Sequence, residues 1–297
     1  MKNLRVTAIG EILYDIYPDK KRLGGAPFNF IYHIWKILGK ANFVSSVGND
    51  ENGKEMLSYL NSIGFNTKHI YIDKKYLTGT VQVKLSEDRT PQFTISPECS
   101  YDYITMNDSI KELIEKETDL LYFGTLSTRS DISRDTIQSL FEKPQLKYFC
   151  DLNLRHNFYT KELIKQTLLT CNVLKINQDE LDKLKQLFDL QRFNNRAIEQ
   201  LIKEFDIDLI GLTLGEKGAE LYTKSETNHY KAEIVNVVDT LGAGDAFAAI
   251  LCIGYLNNMP IAEINKLANE FAAEVCLVIG ALPNDDLVYE KYGETFC

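Results

Sequence analysis

The sequence predicts an α/β protein, a three-layer sandwich in which a mainly parallel sheet carries helices on both faces. Two observations predict it. Strand-like and helix-like segments alternate along most of the chain, which is typical of a parallel sheet covered by its crossover helices. In addition, 297 residues with 44% hydrophobic and 25% charged side chains are enough to bury the core of a single domain over residues 1–297.

Each element follows from its local pattern. Short apolar runs rich in β-branched and aromatic residues predict strands, and apolar residues at helical spacing predict helices. Parallel sheets of this kind bind ligands beyond the carboxyl ends of their strands. The predicted strands are Val6–Ile9, Asn42–Val47, Leu120–Phe123, Tyr148–Asp151, Val173–Ile176, Asp208–Thr213 and Ala219–Tyr222. The predicted helices are Phe30–Leu38, Gly53–Ile63, Asp135–Leu140, Lys161–Thr170 and a pair of helical stretches over Ile261–Ile279.

One region interrupts this alternation. Gly79–Leu85 and Gln92–Ser96 alternate with period two on either side of Glu87–Pro91, which predicts a β-hairpin, and residues 11–17 are available to pair with it. We therefore expect a small second sheet with strands within about residues 11–20 and 77–105. An ordinary edge hairpin is the alternative.

Charge and composition exclude several classes of protein. A net charge of −9 argues against a nucleic-acid surface, and no apolar run approaches the length of a membrane span. The six cysteines show no C-x-x-C spacing, and the chain opens on a strand pattern that lacks a secretory signal. We expect reduced thiols and a cytoplasmic location.

The segment from Asp239 to Asp245 carries the clearest chemistry. A strand-like run, Glu233–Val238, leads into the loop Asp239-Thr-Leu-Gly-Ala-Gly-Asp245 and then into a long apolar helix pattern. Gly242 and Gly244 allow backbone N–H groups to approach a phosphate, and a helix N-terminus attracts anions. Asp245 could accept a proton from an attacking hydroxyl, or it could simply stabilise the helix dipole.

In two of its motifs the chain resembles the ribokinase-like carbohydrate kinases of the PfkB type. Their C-terminal hallmark, Asp-Thr-x-Gly-Ala-Gly-Asp-x-Phe, matches completely from Asp239 to Phe247. Their N-terminal Gly-Gly motif with a following Asn appears as Gly24-Gly25-Ala-Pro-Phe-Asn29. Together with Asp151-Leu-Asn-Leu-Arg155, it is most similar to the fructokinase branch, although His156 and Phe28 depart from the usual fructokinase pattern.

The resemblance implies a ribokinase-like fold with a β-sheet lid, often also a dimer surface, and transfer of the γ-phosphoryl group of ATP to a sugar hydroxyl. Asp245 would be the catalytic base, and the N–H groups of the surrounding turn would stabilise developing charge. The sugar would contact a second set of residues. The catalytic set is Asp245, Gly242, Ala243 and Gly244, and the sugar-binding set is Asp15, Gly24, Gly25, Asn29 and Arg155.

Nucleotide and metal positions follow from the same resemblance. Asn177 and Glu180 would lie near Mg²⁺ and the phosphates, Glu180 through water, although a helix-capping box describes them equally well. Asp239 would border a site for a monovalent cation such as K⁺. The remaining nucleotide contacts would be Thr213, Gly215, Gly218 and Asn269.

The expected activity is that of an ATP-dependent sugar kinase, with fructose as the first candidate substrate. Alternatives are a ribokinase, a 2-keto-3-deoxygluconate kinase, an adenosine kinase-like enzyme, or a sugar-binding regulator without turnover. A P-loop kinase is rejected, because Glu55 stands where the Walker A pattern over Gly48–Lys54 requires Ser or Thr.

Overall fold

The computed structural model describes residues 3–85, 91–141, 143, 145–156, 158–232, 236–283 and 285–296. The strands are β1 (Val6–Ile9), β2 (Leu13–Ile16), β3 (Lys21–Gly24), β4 (Asn42–Gly48), β5 (Ile70–Asp73), β6 (Gly79–Leu85), β7 (Pro91–Ile95), β8 (Leu120–Gly124), β9 (Lys147–Asp151), β10 (Val173–Asn177), β11 (Leu209–Thr213), β12 (Ala219–Thr223) and β13 (Thr227–Tyr230). The helices are α1 (Ala26–Leu38), α2 (Glu51–Ser62), α3 (Asp108–Lys116), α4 (Asp131–Ser139), α5 (Lys161–Thr170), α6 (Gln178–Phe188), α7 (Asn194–Phe205), α8 (Ala243–Leu256), α9 (Ile261–Val275) and α10 (Leu287–Phe296).

Nine strands form the large sheet, in the order β13-β12-β11-β10-β9-β8-β1-β4-β5. The pairs from β5 to β11 are parallel, whereas β12 and β13 are antiparallel additions at one edge. From β1 the chain runs outward first to β4 and β5, and later in the opposite direction from β8 to β11. The two halves therefore separate beside β1, and the crevice at the carboxyl ends of the strands there is where such folds bind ligands.

The two faces of the large sheet carry separate hydrophobic cores. Strand β8 shows why: Leu120 and Tyr122 point to one core, and Leu121 and Phe123 to the other. The first core is covered by α1, α2, α8, α9 and α10, and the second by α3, α4, α5, α6 and α7. The predicted fold class, a mainly parallel sheet with helices on both faces, is confirmed.

Four strands form the small sheet, in the order β3-β2-β6-β7. Strand β2 pairs in parallel with β6 and antiparallel with β3, which places Asp15 opposite Arg22. The expected hairpin is present as the antiparallel pair β6 and β7, and residues 11–17 contribute β2 as expected. Residues 86–90, within the predicted hairpin turn, lie outside the described residues.

Two sequence-based expectations about elements are wrong. Residues 236–238 are not a strand, because the Val238 N–H donates to the carbonyl of Cys276 instead of to a sheet neighbour; residues 233–235 of that predicted strand lie outside the described part of the chain. The pair of helical stretches over Ile261–Ile279 is one helix, α9, and the next helix, α10, begins only at Leu287. Within the described residues, no helix combines the length and the apolar character needed to cross a bilayer.

Candidate active site

The candidate site lies at the carboxyl edge of the large sheet, where loops follow neighbouring parallel strands. Hydrogen bonds join these loops to one another, so the edge is a continuous structure. They are Ser127 Oγ to Glu11 at 2.5 Å, Thr125 Oγ1 to the Leu152 carbonyl at 2.7 Å, the Leu154 N–H to Glu180 at 2.9 Å, and Thr213 Oγ1 to the Ile176 carbonyl at 3.3 Å.

The turn before α8 presents backbone N–H groups. Gly242 has φ 81°, and a Cβ there would stand 2.4 Å from the Ala281 Cβ, so only glycine fits this position. The first N–H groups of a helix have no acceptor within the helix, and no side chain caps α8 in the described structure. The Ala243 N–H donates to the Thr240 carbonyl at 3.3 Å. The turn over Gly242, Ala243 and Gly244, which we call the anion cradle, thus lies where a helix N-terminus attracts an anion.

Asp245 stands in the first turn of α8, beside this cradle. Its Oδ2 accepts a hydrogen bond of 2.8 Å from Asn29 Nδ2 on α1. Burial raises the pKa of Asp245 to about 6, and the Asn29 hydrogen bond and the Lys175 ammonium oppose that rise. The carboxyl group is therefore ionised at neutral pH, yet basic enough to take a proton from a hydroxyl.

Asn29 lies in the first turn of α1, where the Gly24-Gly25 motif enters the helix. Gly25 has φ 109°, and a Cβ there would stand 2.6 Å from the Glu11 carbonyl oxygen. The Oδ1 atom of Asn29 is buried and has no hydrogen-bond partner within the described residues. A buried amide oxygen without a donor is costly, and a ligand hydroxyl beside Asp245 would satisfy it.

Asp15 adds a second carboxyl group, on β2 of the small sheet. It is buried, and burial raises its pKa to about 6 against the opposing charges of Arg155 and Arg22. A Cβ on Gly24 would stand 2.7 Å from Asp15 Oδ2, so the glycine leaves room for the carboxylate. Asp15 can accept two hydroxyl hydrogen bonds at once.

Glu11 and Lys175 are site residues to which sequence reasoning gave no role. Glu11 follows β1, is buried, and accepts the Ser127 hydroxyl. Lys175 lies inside β10, and its Nζ donates to Asp151 Oδ1 at 3.1 Å. Its Nζ also lies 2.9 Å from where a Cβ on Gly244 would stand, directly beneath the anion cradle.

The buried cation at Lys175 is held in its charged form. Burial favours the neutral amine, but the carboxylates of Asp151, Glu180 and Asp245 outweigh it and raise the pKa of Lys175. The only sequence signal is a lysine within an otherwise apolar strand, because a lysine is rarely buried unless it is paired.

Arg155 lies on the loop after β9 and is exposed. Its positive charge offsets part of the rise that burial causes in the pKa of Asp15 and of Asp245. Asp151, which precedes it, is bound to Lys175, and Asn153 has a left-handed φ of 40°. These two residues shape the loop that carries Arg155.

Asn177 and Glu180 form the capping box of α6. Asn177 Oδ1 accepts the Glu180 N–H at 2.9 Å, and Glu180 Oε2 accepts the Asn177 N–H at 2.9 Å. The other Glu180 oxygen accepts the Leu154 N–H at 2.9 Å. Each Glu180 oxygen has one donor and keeps one lone pair, with which it could accept a hydrogen bond from the water shell that Mg²⁺ retains.

The predicted nucleotide residues surround the end of β11. Gly215 has φ 61° with open space around its Cβ position, whereas Gly218 packs against the Tyr230 carbonyl. On α9, Asn269 Nδ2 donates to the Asn265 carbonyl at 2.7 Å, and Asn265 Nδ2 in turn donates to the Ala219 carbonyl at 3.1 Å. Thr213, Gly215, Gly218 and Asn269 therefore belong to one region.

Asp239 begins the turn that ends in Asp245. Its Oδ1 accepts the Leu241 N–H at 3.1 Å, and its Oδ2 accepts the Gly280 N–H at 3.0 Å and Arg22 Nη1 at 3.2 Å. Three donors thus occupy three of the roughly four lone-pair positions of a carboxylate. This carboxylate does not fit the monovalent cation that the resemblance implies, because the guanidinium already supplies a positive charge there.

Comparison with known proteins identifies the family. The sequence profile described as pfkB family carbohydrate kinase matches residues 5–286. The chain belongs to the pfkB family of carbohydrate kinases. The resemblance drawn from the two glycine motifs is therefore confirmed, and with it the assignment as a carbohydrate kinase.

Relatives of this pfkB-family chain resemble it over nearly their whole length. It is 29% identical over 290 residues to a sugar kinase of Pyrococcus horikoshii, and the alignment covers 90% of this chain and 88% of the relative. It is 26% identical over 275 residues to the fructokinase of Salmonella typhimurium, covering 87% of each protein.

Solved structures of pfkB-family kinases share the fold. The Pyrococcus horikoshii sugar kinase in complex with ATP superimposes with a TM-score of 0.81 at 25% identity, covering 98% of this chain and 100% of that one. A fructokinase from Vibrio cholerae O395 with fructose, ADP and calcium bound gives a TM-score of 0.79 at 25% identity. The superposition covers 97% of this chain and 98% of that one.

Proposed function

We propose that this pfkB-family enzyme transfers the γ-phosphoryl group of ATP to a hydroxyl of an uncharged sugar, with fructose as the first substrate to test. One observation carries the proposal: Asp245 is hydrogen-bonded to Asn29 at the N-terminus of a helix that no side chain among the described residues caps. A proton acceptor and an anion cradle side by side are the parts that direct phosphoryl transfer requires.

Each proposed site residue has a distinct role in the transfer. Asn29 and Asp15 orient the sugar, and Asp245 takes the proton of the hydroxyl whose oxygen attacks the γ-phosphorus in line. The new bond is sugar oxygen to phosphorus, the bond broken joins that phosphorus to the β-phosphate bridging oxygen, and ADP leaves with the electron pair. The cradle of Gly242, Ala243 and Gly244 stabilises the charge that develops on the transferred group. Mg²⁺, bound with the nucleotide, would neutralise phosphate charge.

Charge near Asp15 favours an uncharged sugar. Burial raises the pKa of Asp15 only to about 6, so this carboxyl group is ionised at neutral pH and a sugar phosphate placed against it would meet like charge. A relative named ATP-dependent 6-phosphofructokinase, from Thermoanaerobacterium thermosaccharolyticum, is 28% identical over 320 residues and covers 98% of this chain and 94% of the relative. Fructose 6-phosphate is therefore the second candidate, and exposed Arg155 is the residue that would favour it.

Several further assignments belong to this proposal. The small sheet acts as a lid over the sugar, since Asp15 on β2 and Gly24 on β3 enter the site from it. Asn177, Thr213, Gly215, Gly218 and Asn269 bind the nucleotide. A homodimer through the small sheet, within a single domain over residues 1–297, stays a prediction.

The test is ADP release measured over a panel of acceptors. Fructose, ribose, 2-keto-3-deoxygluconate, adenosine and fructose 6-phosphate are each added to the full chain with ATP and Mg²⁺. We expect fructose to give the highest kcat/KM. A higher kcat/KM for another acceptor would overturn only the choice of sugar. If none accelerates ADP release while fructose still raises the melting temperature, a sugar-binding regulator is the better description.

A further inference from the structure

Arg22 links the small sheet to the turn that precedes Asp245. It lies on β3, and its Nη1 donates to Asp239 Oδ2 at 3.2 Å across 217 residues of sequence. The pair is partly enclosed, with 20% of the Arg22 side chain and 26% of the Asp239 side chain exposed. The Arg22 guanidinium also lies over the Tyr17 ring, 5.1 Å from its centroid, which fixes its direction.

The same carboxylate organises the anion cradle. Asp239 accepts the N–H groups of Leu241 and Gly280, so it holds together the turn before α8 and the loop that follows α9. Gly242 packs directly against Ala281 in that loop. A negative charge at the centre of this unit needs a neutralising charge, because it would otherwise repel the phosphates that the cradle receives.

Arg22 supplies that charge from within the chain. A Cβ on Gly280 would stand 3.6 Å from the Arg22 Cδ and 3.8 Å from its Nη1, so the guanidinium group lies against the Gly280 loop as well as against Asp239. A second positive charge at 4 Å would be repelled by roughly 4 kcal/mol in a partly exposed setting.

We propose that Arg22 is the built-in cation of the Asp239 turn, a positioning residue that makes phosphoryl transfer independent of added monovalent cations. The assignment rests on the kinase function proposed above. It also gives the small sheet a second task, because Arg22 faces Asp15 across the β2–β3 pair and so connects the sugar side to the phosphate side.

The experiment compares cations. ADP release by the full chain is measured with saturating sugar in tetramethylammonium chloride and in KCl, each at about 0.1 M so that screening is equal. For the natural sequence we expect rates within about twofold of each other, since the charge is already in place. An activation of about tenfold or more by KCl would overturn the proposal.

Substitutions make the test specific. Arg22→Met keeps the length and removes the charge, so we expect kcat to fall about tenfold or more in tetramethylammonium chloride, with a smaller change in the KM for ATP. KCl should restore part of that loss in Arg22→Met, and Arg22→Lys should retain most of the activity. The matched control is Lys21→Met, because Lys21 lies on the same strand but binds Asn52 and Glu55, away from the turn.

A second readout separates this proposal from the function itself. The melting temperature is measured in both salts without substrates. We expect the natural sequence to melt at the same temperature in each, and Arg22→Met to be stabilised by KCl only. If no sugar supports ADP release in either salt, the proposed function fails, and the melting temperatures still decide the role of Arg22. If KCl changes the melting temperature of the natural sequence and of Arg22→Met equally, the proposed role of Arg22 is refuted.

Discussion

Asp245 shows how one residue acquires its properties from three different parts of the chain. Burial at the start of α8 raises its pKa to about 6, while Asn29 on α1 and Lys175 on β10 keep that rise moderate. The sequence motif alone identified the aspartate. It could not give the pKa, because Lys175 is 70 residues away in sequence and acts only through the folded sheet.

Replacing the proposed base tests the mechanism directly. Asp245→Asn keeps the shape and the contact with Asn29 but cannot accept the proton, so we expect kcat to fall by about a thousandfold or more. ATP affinity, measured by calorimetry, should change little, because the cradle N–H groups are unaltered. The control is Asp179→Asn, an exposed acid in the first turn of α6. Near-normal turnover in Asp245→Asn would refute the assignment.

The pH profile follows from the same carboxyl group. Since the base must be ionised and burial raises the pKa of Asp245 to about 6, kcat/KM should be constant above that pH and fall about tenfold per unit below it. Burial raises the pKa of Asp15 to about 6 as well, so protonation of Asp15 should steepen the fall in kcat/KM. A profile that stays flat down to pH about 4.5 would exclude an essential group with this pKa.

Lys175 gives a third prediction at the residue scale. Lys175→Met removes the buried ammonium beside Asp151 and Asp245, so the pKa of Asp245 should rise and the acid limb of kcat/KM should move to higher pH. The reduced charge beneath the cradle should also lower kcat. Lys185→Met, which affects a lysine on α6 bound to Asp182 and Asn194, is the control. If the acid limb of kcat/KM stays at the same pH in Lys175→Met, the charge of Lys175 does not influence the pKa of Asp245.

At the scale of elements, the predictable parts are those with a clear apolar pattern. The parallel strands were found as short apolar runs, which are buried on both faces of the sheet. Helices α2 and α5 were found because each buries one stripe of side chains, whereas α1 is an apolar helix that is buried on nearly all sides. The run Asn236–Val238 has the composition of a strand, but Val237 and Val238 are 54% and 56% exposed and the local hydrogen bond goes to Cys276. Composition does not specify the hydrogen-bond partner of a segment, which depends on distant residues.

The turn before α8 provides a test at this scale. In Gly242→Ala the new Cβ would clash with Ala281 at 2.4 Å, so the turn must move and the cradle with it. We expect kcat to fall by about a hundredfold or more while sugar affinity is retained. The matched control is Gly39→Ala, at a glycine with a similar φ of 73° and no described atom within 4 Å of its Cβ position.

The two glycine variants differ in what they disturb. Both place an alanine at positive φ, which costs roughly 1–2 kcal/mol of stability. Only Gly242→Ala adds the collision with Ala281. We therefore expect the chemical-denaturation midpoint to fall in both variants and further in Gly242→Ala, with activity lost only in Gly242→Ala. Loss of activity in Gly39→Ala as well would assign the effect to stability.

The whole molecule places these groups together through its topology. Because β1 lies between β4 and β8, the carboxyl ends of strands from both halves of the chain meet at one crevice. The sequence predicted the sheet and most of the residues at this edge. It could not predict Glu11 or Arg22 as site components, because their roles depend on contacts with Ser127 and Asp239, which the fold alone brings close.

Stability as a function of pH is a property of the entire molecule, in which groups of opposite sign compete. Burial raises the pKa of Asp15 and Asp245 to about 6, so the folded state binds their protons more tightly than the unfolded state does. Their contribution therefore favours folding at acid pH and is lost as pH rises from about 4 to about 6. Burial lowers the pKa of His33 to about 3, which destabilises the folded state as pH falls below about 6.5.

The double variant Asp15→Asn with Asp245→Asn isolates the acidic part of this balance. Without the two carboxyl groups, the variant should gain stability relative to the natural sequence as pH rises from about 4 to about 6, by at most roughly 3 kcal/mol for each group. Urea unfolding at pH values across that range measures the difference, and Asp179→Asn should leave it unchanged. A difference that does not vary with pH would mean that Asp15 and Asp245 titrate as ordinary surface acids, and the enclosed, poorly solvated site inferred for them would be wrong.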